Sequence, residues 1–457
     1  MEYKAYPIRW AWLTILWIGM FNHQFTTLSY GIINNVVSYY FKIGAYEVDI
    51  LGIISDIFST IAPFIVVVTG RITGVRSLFL YGLFAAVIGI GADIIGFMSR
   101  NFYWMVLMGQ ALIGISGSIF YLLVFELAAS WFPANERATA IGIAWTADNL
   151  GGTLSALYFP YVLQNTSDAT VAFLKLATIR NTYFTSFGLI FVLLLFSLVV
   201  GWLYIADHPP SPPSASQQTL LESERVNSMQ TIDIIRNLTV VRNLCLNSDF
   251  AIITIVRGFQ FSVFGLTIIL VSSMLLRTFP DLSDQFGGNV RTMGTILASI
   301  LSILVGRYLD KYGHYKGMCI AVLTGIFVSS VSVYFGHLFK EIYTVAIFYI
   351  VVTGIRGTTA VCLGEYLLEV TYPTNNVVVM ALYNIPSQLV TVIMVSLERF
   401  LMERYNETFA VFVPIIANGL SVLLLACTTS NYRRSKIATK FTKTRDAEEE
   451  PLTKTNP

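Results

Sequence analysis

Twelve times this chain runs through roughly twenty residues with almost no charge, the length an α-helix needs to cross the hydrocarbon core of a bilayer. The runs are 10–35, 48–69, 77–98, 103–130, 138–162, 182–206, 250–276, 290–309, 317–338, 342–368, 377–401 and 408–430. No single water-soluble core can hide that much apolar surface. Of the 457 residues, 55% are hydrophobic and 12% charged, about half the charge of an ordinary soluble domain. Gly, Ser and Thr are mixed among the Leu, Ile and Phe of nearly every run, which suits helices packing closely in lipid. A membrane barrel needs short alternating strands instead. The first run is too long for a signal-peptide core and no small-residue cleavage site follows it, so it is expected to stay as the first span. The expectation is an all-α polytopic membrane protein.

The runs fall into two copies of one unit. Trp131-Phe-Pro133-Ala-Asn135-Glu136-Arg137 links two apolar runs, and 240 positions on, Thr371-Tyr-Pro373-Thr-Asn375-Asn-Val does the same. The same offset sets Thr69-Gly70-Arg71 beside Leu309-Asp310-Lys311, and Arg76 beside Lys316. Two loops agreeing on one offset mark an internal repeat, which is read before local structure. Six spans per copy is an even number, so both copies enter the membrane the same way round and an axis along the membrane normal relates them. The expected organisation is a first six-helix bundle at 1–206, a linker at 207–248, a second six-helix bundle at 249–432 and a tail at 433–457. The linker opens on His208-Pro-Pro-Ser-Pro-Pro, too stiff for a helix, and the tail reads as a solvated basic, then acidic, segment.

The side carrying both termini and the linker holds twice as many Lys and Arg outside the spans as the other, which places it in the cytoplasm. The sequons at Asn165 and Asn406 then fall outside as glycosylation acceptors. A net charge of +2 gives no reason to expect a nucleic acid; the lipid bilayer is the certain partner. Four cysteines without CxxC spacing and four histidines at unrelated places (His23, His208, His314, His337) supply neither a metal site nor a nucleophile–base pair. No cofactor and no enzyme activity are expected.

Gly306-Arg-Tyr-Leu-Asp310-Lys311-Tyr-Gly313-His-Tyr-Lys316 resembles the signature loop between the second and third spans of a major facilitator half, and the two-bundle repeat is that superfamily's architecture. Asp310 at a helix end can pair with basic groups or with a neighbouring helix N-terminus and so close the cytoplasmic side; the first copy has Gly70 in its place, so the lock is expected to be lopsided. More closely, the chain resembles the feline leukaemia virus subgroup C receptor-related family and its disrupted-in-renal-carcinoma relative (solute carrier family 49). The pieces that carry the likeness are Tyr30-Gly-Ile-Ile-Asn-Asn35, Val48-Asp49, Met108-Gly109-Gln110, Trp131-Phe132, Glu136-Arg137-Ala-Thr-Ala, Leu150-Gly-Gly and Glu365 with Glu369 and Pro373. That resemblance implies transport of haem, choline or ethanolamine, or a vitamin. Its choline-binding positions fall on Thr27, Gly117 and Gly265, with Gln388 retained. Neither Thr nor Gly offers a ring face for cation–π capture; Phe261 and Phe264 are substitutes on the seventh span. Choline is a doubtful solute on that ground.

Charge at the bilayer centre is costly, so polar residues there face protein or a water-filled path. Substrate contacts are expected from His23, Gln24 and Thr27 (first span), Gln260 (seventh), Arg356 (tenth), and Asn384 and Gln388 (eleventh), where Pro386 interrupts the helix ladder. Helix–helix hydrogen bonding is the competing role for the first-span group. Gating is expected from Glu126, Gly306, Asp310, Lys311, Gly313 and Glu365, and from Asp148 either hydrogen bonding between the halves or a coupling proton. Arg257 is expected to pair with Glu126 or Glu365, and Asp56 and Asp93 to be structural. Arg356 lies too deep to reach either surface, so its acceptors are Asp148 or an acidic group on the solute. The reading is alternating-access transport of a small anionic or zwitterionic organic solute by a monomer, at the plasma membrane rather than the lysosome. A substrate-sensing receptor on the same scaffold is the alternative.

Overall fold

The computed structural model describes residues 4–61, 63–65, 75–163, 172–214, 216–219, 234–264, 271–279, 284–405 and 407–436. Among them every long element is an α-helix: α1 Arg9–Ile32, α2 Asn34–Phe41, α3 Ala45–Ser59, α4 Val75–Gly96, α5 Tyr103–Trp131, α6 Arg137–Leu163 and α7 Ala172–Tyr204 in the first half. The second half has α8 Ile234–Cys245, α9 Ser248–Phe264, α10 Val271–Thr278, α11 Asp284–Tyr312, α12 Tyr315–Phe339, α13 Ile342–Gly357, α14 Thr359–Thr371, α15 Asn376–Arg404 and α16 Glu407–Ala426. The described part of each of the twelve apolar runs lies mainly on helices. The described residues of the seventh run lie on α9 and α10, and the tenth is interrupted at Thr358 between α13 and α14. The helix of the eleventh run continues through Pro386. The sequons at Asn165 and Asn406, the loop around Gly70, Gly265 and the side chains of Phe261 and Phe264 lie outside the described residues.

Among the described residues, eight helical segments are long and apolar enough to cross a membrane on length and composition alone, and Asn376–Val390 is a shorter apolar helix. The first and fifth runs are diluted by central polar residues, Asn22-His-Gln and Asp148-Asn149, which face protein or a polar path rather than lipid. The two halves meet chiefly where α6 runs along α11. Gly306 makes this possible, because a Cβ there would stand 2.4 Å from the carbonyl oxygen of Ala138, and small residues of this kind let membrane helices approach backbone to backbone.

Cross-half hydrogen bonds among the described residues gather at the end that carries the N-terminus, the linker and the tail. Asp310 accepts from the backbone N–H of Ala138 at 2.8 Å and of Thr139 at 2.7 Å, and from the Thr139 hydroxyl at 2.6 Å. It thereby caps the start of α6 from the other half, satisfying N–H groups that a helix cannot satisfy itself. Glu126 accepts from Ser130 at 2.8 Å and from Asn376 Nδ2, across the interface, at 3.0 Å. Lys311 stays exposed beside the Tyr312 ring, and Gly313 takes a left-handed φ of 65° that ends α11.

The tail does not begin as a solvated segment. Arg434 is buried and pairs with Glu365 at 3.5 Å, and Ser435 donates its N–H and hydroxyl to Glu369, each at 3.0 Å. Part of the linker is drawn in as well: buried Gln217 donates to the Ser130 hydroxyl and Tyr372 donates to the Ser216 carbonyl. Two glutamates inside an apolar end need a cation and donors nearby, and the start of the tail supplies both.

Candidate functional site

Between the halves, at mid-length of the helices, the chain gathers a polar cluster around Tyr121 of α5. Its hydroxyl donates to Asp148 Oδ1 of α6 at 2.5 Å. With its one proton given away, that oxygen can only accept from the other two neighbours. His23 Nδ1 of α1 lies at 3.0 Å and Gln24 Nε2 at 3.3 Å, so the geometry selects the Nδ1–H form of His23. Trp145, one turn before Asp148, stacks on the Tyr121 ring at 5.2 Å and 12°.

The second half faces this wall with two arginines. The Arg257 guanidinium of α9 stands 5.9 Å from the ring centroids of both Trp145 and Tyr383, and donates to Thr359 Oγ1 at 3.4 Å. Arg356 occupies the last turn of α13, where the helix dipole favours a cation. Thr359 ties the two together, accepting from Arg257 and donating to the Arg356 carbonyl at 2.7 Å. Asp148 interacts electrostatically with both Arg356 and Arg257. Ion pairs measured among the described residues include Arg9–Glu136 and Arg434–Glu365, both toward the linker end.

A narrow pocket beside this cluster is lined by Ser59, Thr60, Pro63, Ser118, Tyr121, Asn384, Ile385 and Gln388. It takes in residues of both halves. Asp56 lies on α3 one turn before Ser59 and Thr60, and Asp93 is buried and bonded to Gln110 at 2.8 Å.

The profile of the Major Facilitator Superfamily matches residues 16–395. The chain belongs to the major facilitator superfamily. This major facilitator is 23% identical over 456 residues to the choline/ethanolamine transporter FLVCR2 of Homo sapiens, covering 98% of this chain and 82% of that one. To the choline/ethanolamine transporter FLVCR1 of Felis catus it is 24% identical over 425 residues, covering 91% and 71%. Among solved structures, the transporter FucP in the outward conformation superposes with a TM-score of 0.70 at 11% identity, covering 91% of this chain and 97% of that one. The human organic anion transporter MFSD10 (TETRAN) gives 0.65 at 13%, covering 92% and 100%. The sequence likeness to the receptor-related transporters and the two-bundle fold both agree with the reading from the residues.

Within this major facilitator, His23, Gln24, Asp148, Arg356, Asn384 and Gln388 converge on one region from four different spans. Two expected contacts are placed elsewhere. Gln260 is buried and donates to Asn418 of α16 at 2.9 Å, inside the second bundle. Thr27 is bonded to Ser55 of α3 at 3.3 Å. Arg257 lies over two rings, and Arg434 takes the Glu365 partner foreseen for it. Tyr121, Trp145 and Tyr383 went unnoticed in the sequence because aromatic residues in apolar runs look like packing. One signal was available: Tyr121 lies one turn past Gly117, a position already aligned to the site.

Gly117 explains how the cluster fits. A Cβ at that position would stand 2.1 Å from Cδ2 of His23. The imidazole fills the volume that a side chain on α5 would take, so a residue at 117 and His23 in its present place exclude each other.

Proposed function

We propose that this major facilitator moves a small anionic or zwitterionic organic solute across the membrane by alternating access, holding it between the halves. The observation that carries the reading is that Arg257 and Arg356 of the second half gather beside the Trp145, Tyr121 and Asp148 wall of the first. A guanidinium keeps its proton at this depth, and two of them at the interface favour a solute carboxylate or phosphate, which guanidinium groups bind in bidentate form. Arg356, Arg257, His23, Gln24, Asn384 and Gln388 are the proposed contacts; Thr27 and Gln260 are withdrawn from that role. Glu126, Gly306, Asp310 and Glu365 are the proposed gate. Both termini and the linker are placed in the cytoplasm, with Asn165 and Asn406 as outside glycosylation sites and the plasma membrane as the location. The closed linker end then makes this the outward-facing state of a monomeric transporter rather than of an enzyme.

The choline and ethanolamine of the relatives are cations, and their likeness supports a small nitrogenous solute. Two arginines at the centre and the missing aromatic residues at 27 and 117 argue against a plain cation. Haem and vitamin-like solutes are the other classes that the resemblance implies, and neither has a further support in the cluster. Asp148, bonded through Tyr121 to His23, is the proposed carrier of any coupling proton. The test is flux in proteoliposomes containing the full-length protein, with Arg356→Lys alongside. An acidic or zwitterionic solute is expected to be taken up, and the substitution to reduce that uptake about tenfold or more, because a point charge replaces a two-pronged donor. Choline flux equal to or above that of acidic solutes overturns the reading. Binding with no flux of any solute assigns the protein to the receptor class.

A further inference from the structure

Away from the central cluster, a groove of about 440 Å³ opens on the flank of the first bundle. It is lined by Met98, just past the end of α4, and by Arg180, Asn181, Phe184 and Thr185 of α7. The four α7 residues are paired one turn apart and so share a face. Helix α7 runs from this groove toward the linker, which puts the groove at the end opposite the Asp310 lock. Arg180 is exposed, and among the described residues neither its guanidinium nor the Asn181 amide has a hydrogen-bond or ion-pair partner. Arg180 and Arg100 both act electrostatically on the Tyr40 phenol, which donates to the Phe97 carbonyl at 2.6 Å. Two cations therefore surround the turn that carries Met98. The apolar side is as well defined. Leu189, Val192 and Phe196 continue the face of Thr185 at helical spacing and are 65%, 62% and 67% exposed. Exposed Ile88 and Ile95 lie along α4, which packs beside α7 closely enough that a Cβ on Gly91 would stand 3.5 Å from the Phe191 ring. The groove thus opens at the head of an apolar seam between two helices.

We propose that this groove is a binding site for one phospholipid of the surrounding bilayer. The lipid phosphate is taken by Arg180 and Asn181 with Arg100 nearby, and an acyl chain lies over Met98 and Phe184 into the α4–α7 seam. A guanidinium meets a phosphate in bidentate form, and Arg180 has no carboxylate of its own to answer it. Depth agrees with the assignment. From Thr185 to Phe196 the helix rises about 16 Å, the thickness of one leaflet of a hydrocarbon core about 30 Å across. The cations thus stand at headgroup level and the exposed apolar face at acyl level. A free phosphate ion would meet the cations and leave the apolar floor bare. A neutral acylglycerol would cover the floor and leave the cations unanswered. A phospholipid joins both chemistries at the spacing that α7 presents. Bound there, it fastens α4 to α7 within the first bundle, at the end that Asp310 does not hold. The inference is independent of which solute the central cluster takes.

The test uses the purified full-length protein, stripped of lipid in detergent micelles, and four probes. These are dioleoyl phosphatidylglycerol, dioleoyl phosphatidylcholine, dioleoylglycerol and glycerol 3-phosphate. Retention of the tightest-bound molecule is read by native mass spectrometry, and thermal stabilisation is read against concentration. Both phospholipids are expected to act at concentrations about tenfold or more below dioleoylglycerol and glycerol 3-phosphate, the scale of a charge-assisted hydrogen bond. Arg180→Gln combined with Arg100→Gln is expected to weaken phospholipid retention about tenfold or more and to leave dioleoylglycerol unchanged. Arg242→Gln, which removes an exposed arginine at the linker end, is expected to change neither. A melting temperature equal to that of the unaltered protein without added lipid shows that the double variant is folded; if it is lower, Arg180→Lys, which keeps the charge, is expected to retain phospholipid better than Arg180→Gln. Dioleoylglycerol binding as tightly as the phospholipids overturns the inference, since the apolar seam alone would then account for it. Glycerol 3-phosphate acting equally well overturns it in favour of a soluble phosphate. Retention indifferent to both Arg180 substitutions overturns it by placing the lipid elsewhere.

Discussion

At the start of α15 the N–H groups of Val377 and Val378 are capped by Asn375, at 3.0 and 3.4 Å, within the same turn of chain. At the equivalent start of α6 the N–H groups of Ala138 and Thr139 are capped by Asp310, which comes from the other half. These are the two copies of one repeated turn, and they satisfy the same backbone need from different places. A local cap travels with its helix whatever the halves do. A cap that crosses the interface exists only while the linker end is shut, so its free energy counts toward that state alone. The sequence shows why the copies differ: position 310 is Asp, and its counterpart 70 is Gly. The lock is built into one loop.

The strongest way to break this comparison is Gly306→Leu. A side chain there meets the Ala138 carbonyl, so α11 must move off α6 and both the packing and the crossing cap are lost; misfit of this kind costs about 1–3 kcal/mol or more. Spin-label distances across the linker end are expected to lengthen in most molecules. Unchanged distances would show that the α6–α11 seam does not hold the end shut. Asp310→Ala removes the crossing cap but keeps the packing. Loss of a cap costs about 0.5–2 kcal/mol, here expected as a shift of the closed-to-open ratio by about 2- to 30-fold with little change in melting temperature. A fall in melting temperature without a population shift would make Asp310 an ordinary helix end. The smallest effect is expected from Asn375→Ala. It removes a cap present in both states, so stability drops by about 1 kcal/mol while the distance distribution stays as in the unaltered protein. A population shift here would erase the distinction between the two turns.

Much of the architecture was legible because lipid imposes one rule on every span: backbone groups are satisfied within a helix, and the side chains that face lipid are apolar. Twelve runs of suitable length, repeated at one offset, leave few folds to choose from. The polar residues inside the runs were also informative, since His23, Asp148, Arg257 and Asn384 all mark helices that meet between the halves. The docking of Arg434 and Ser435 onto Glu365 and Glu369 was not legible. A basic tail looks the same in sequence whether it is solvated or folded back, because the acids that receive it lie more than sixty residues away.

By itself the sequence determined the helical class, the duplication, the position of the crossing lock at Asp310 and the set of polar residues from which any central site is drawn. Only the tertiary structure decided which members of that set meet. Arg257 and Gln260 lie on one helix, yet the first stands over Trp145 of the other half and the second is spent on Asn418. Asp148 and Asp93 are both acids within spans, yet one accepts from Tyr121 and the other closes a buried bond to Gln110. The physical reason is helix rotation. Spacing along a helix sets which side chains share a face, but the direction of that face is set by packing against neighbours far along the chain, through contacts such as Gly117 against His23 and Gly306 against Ala138.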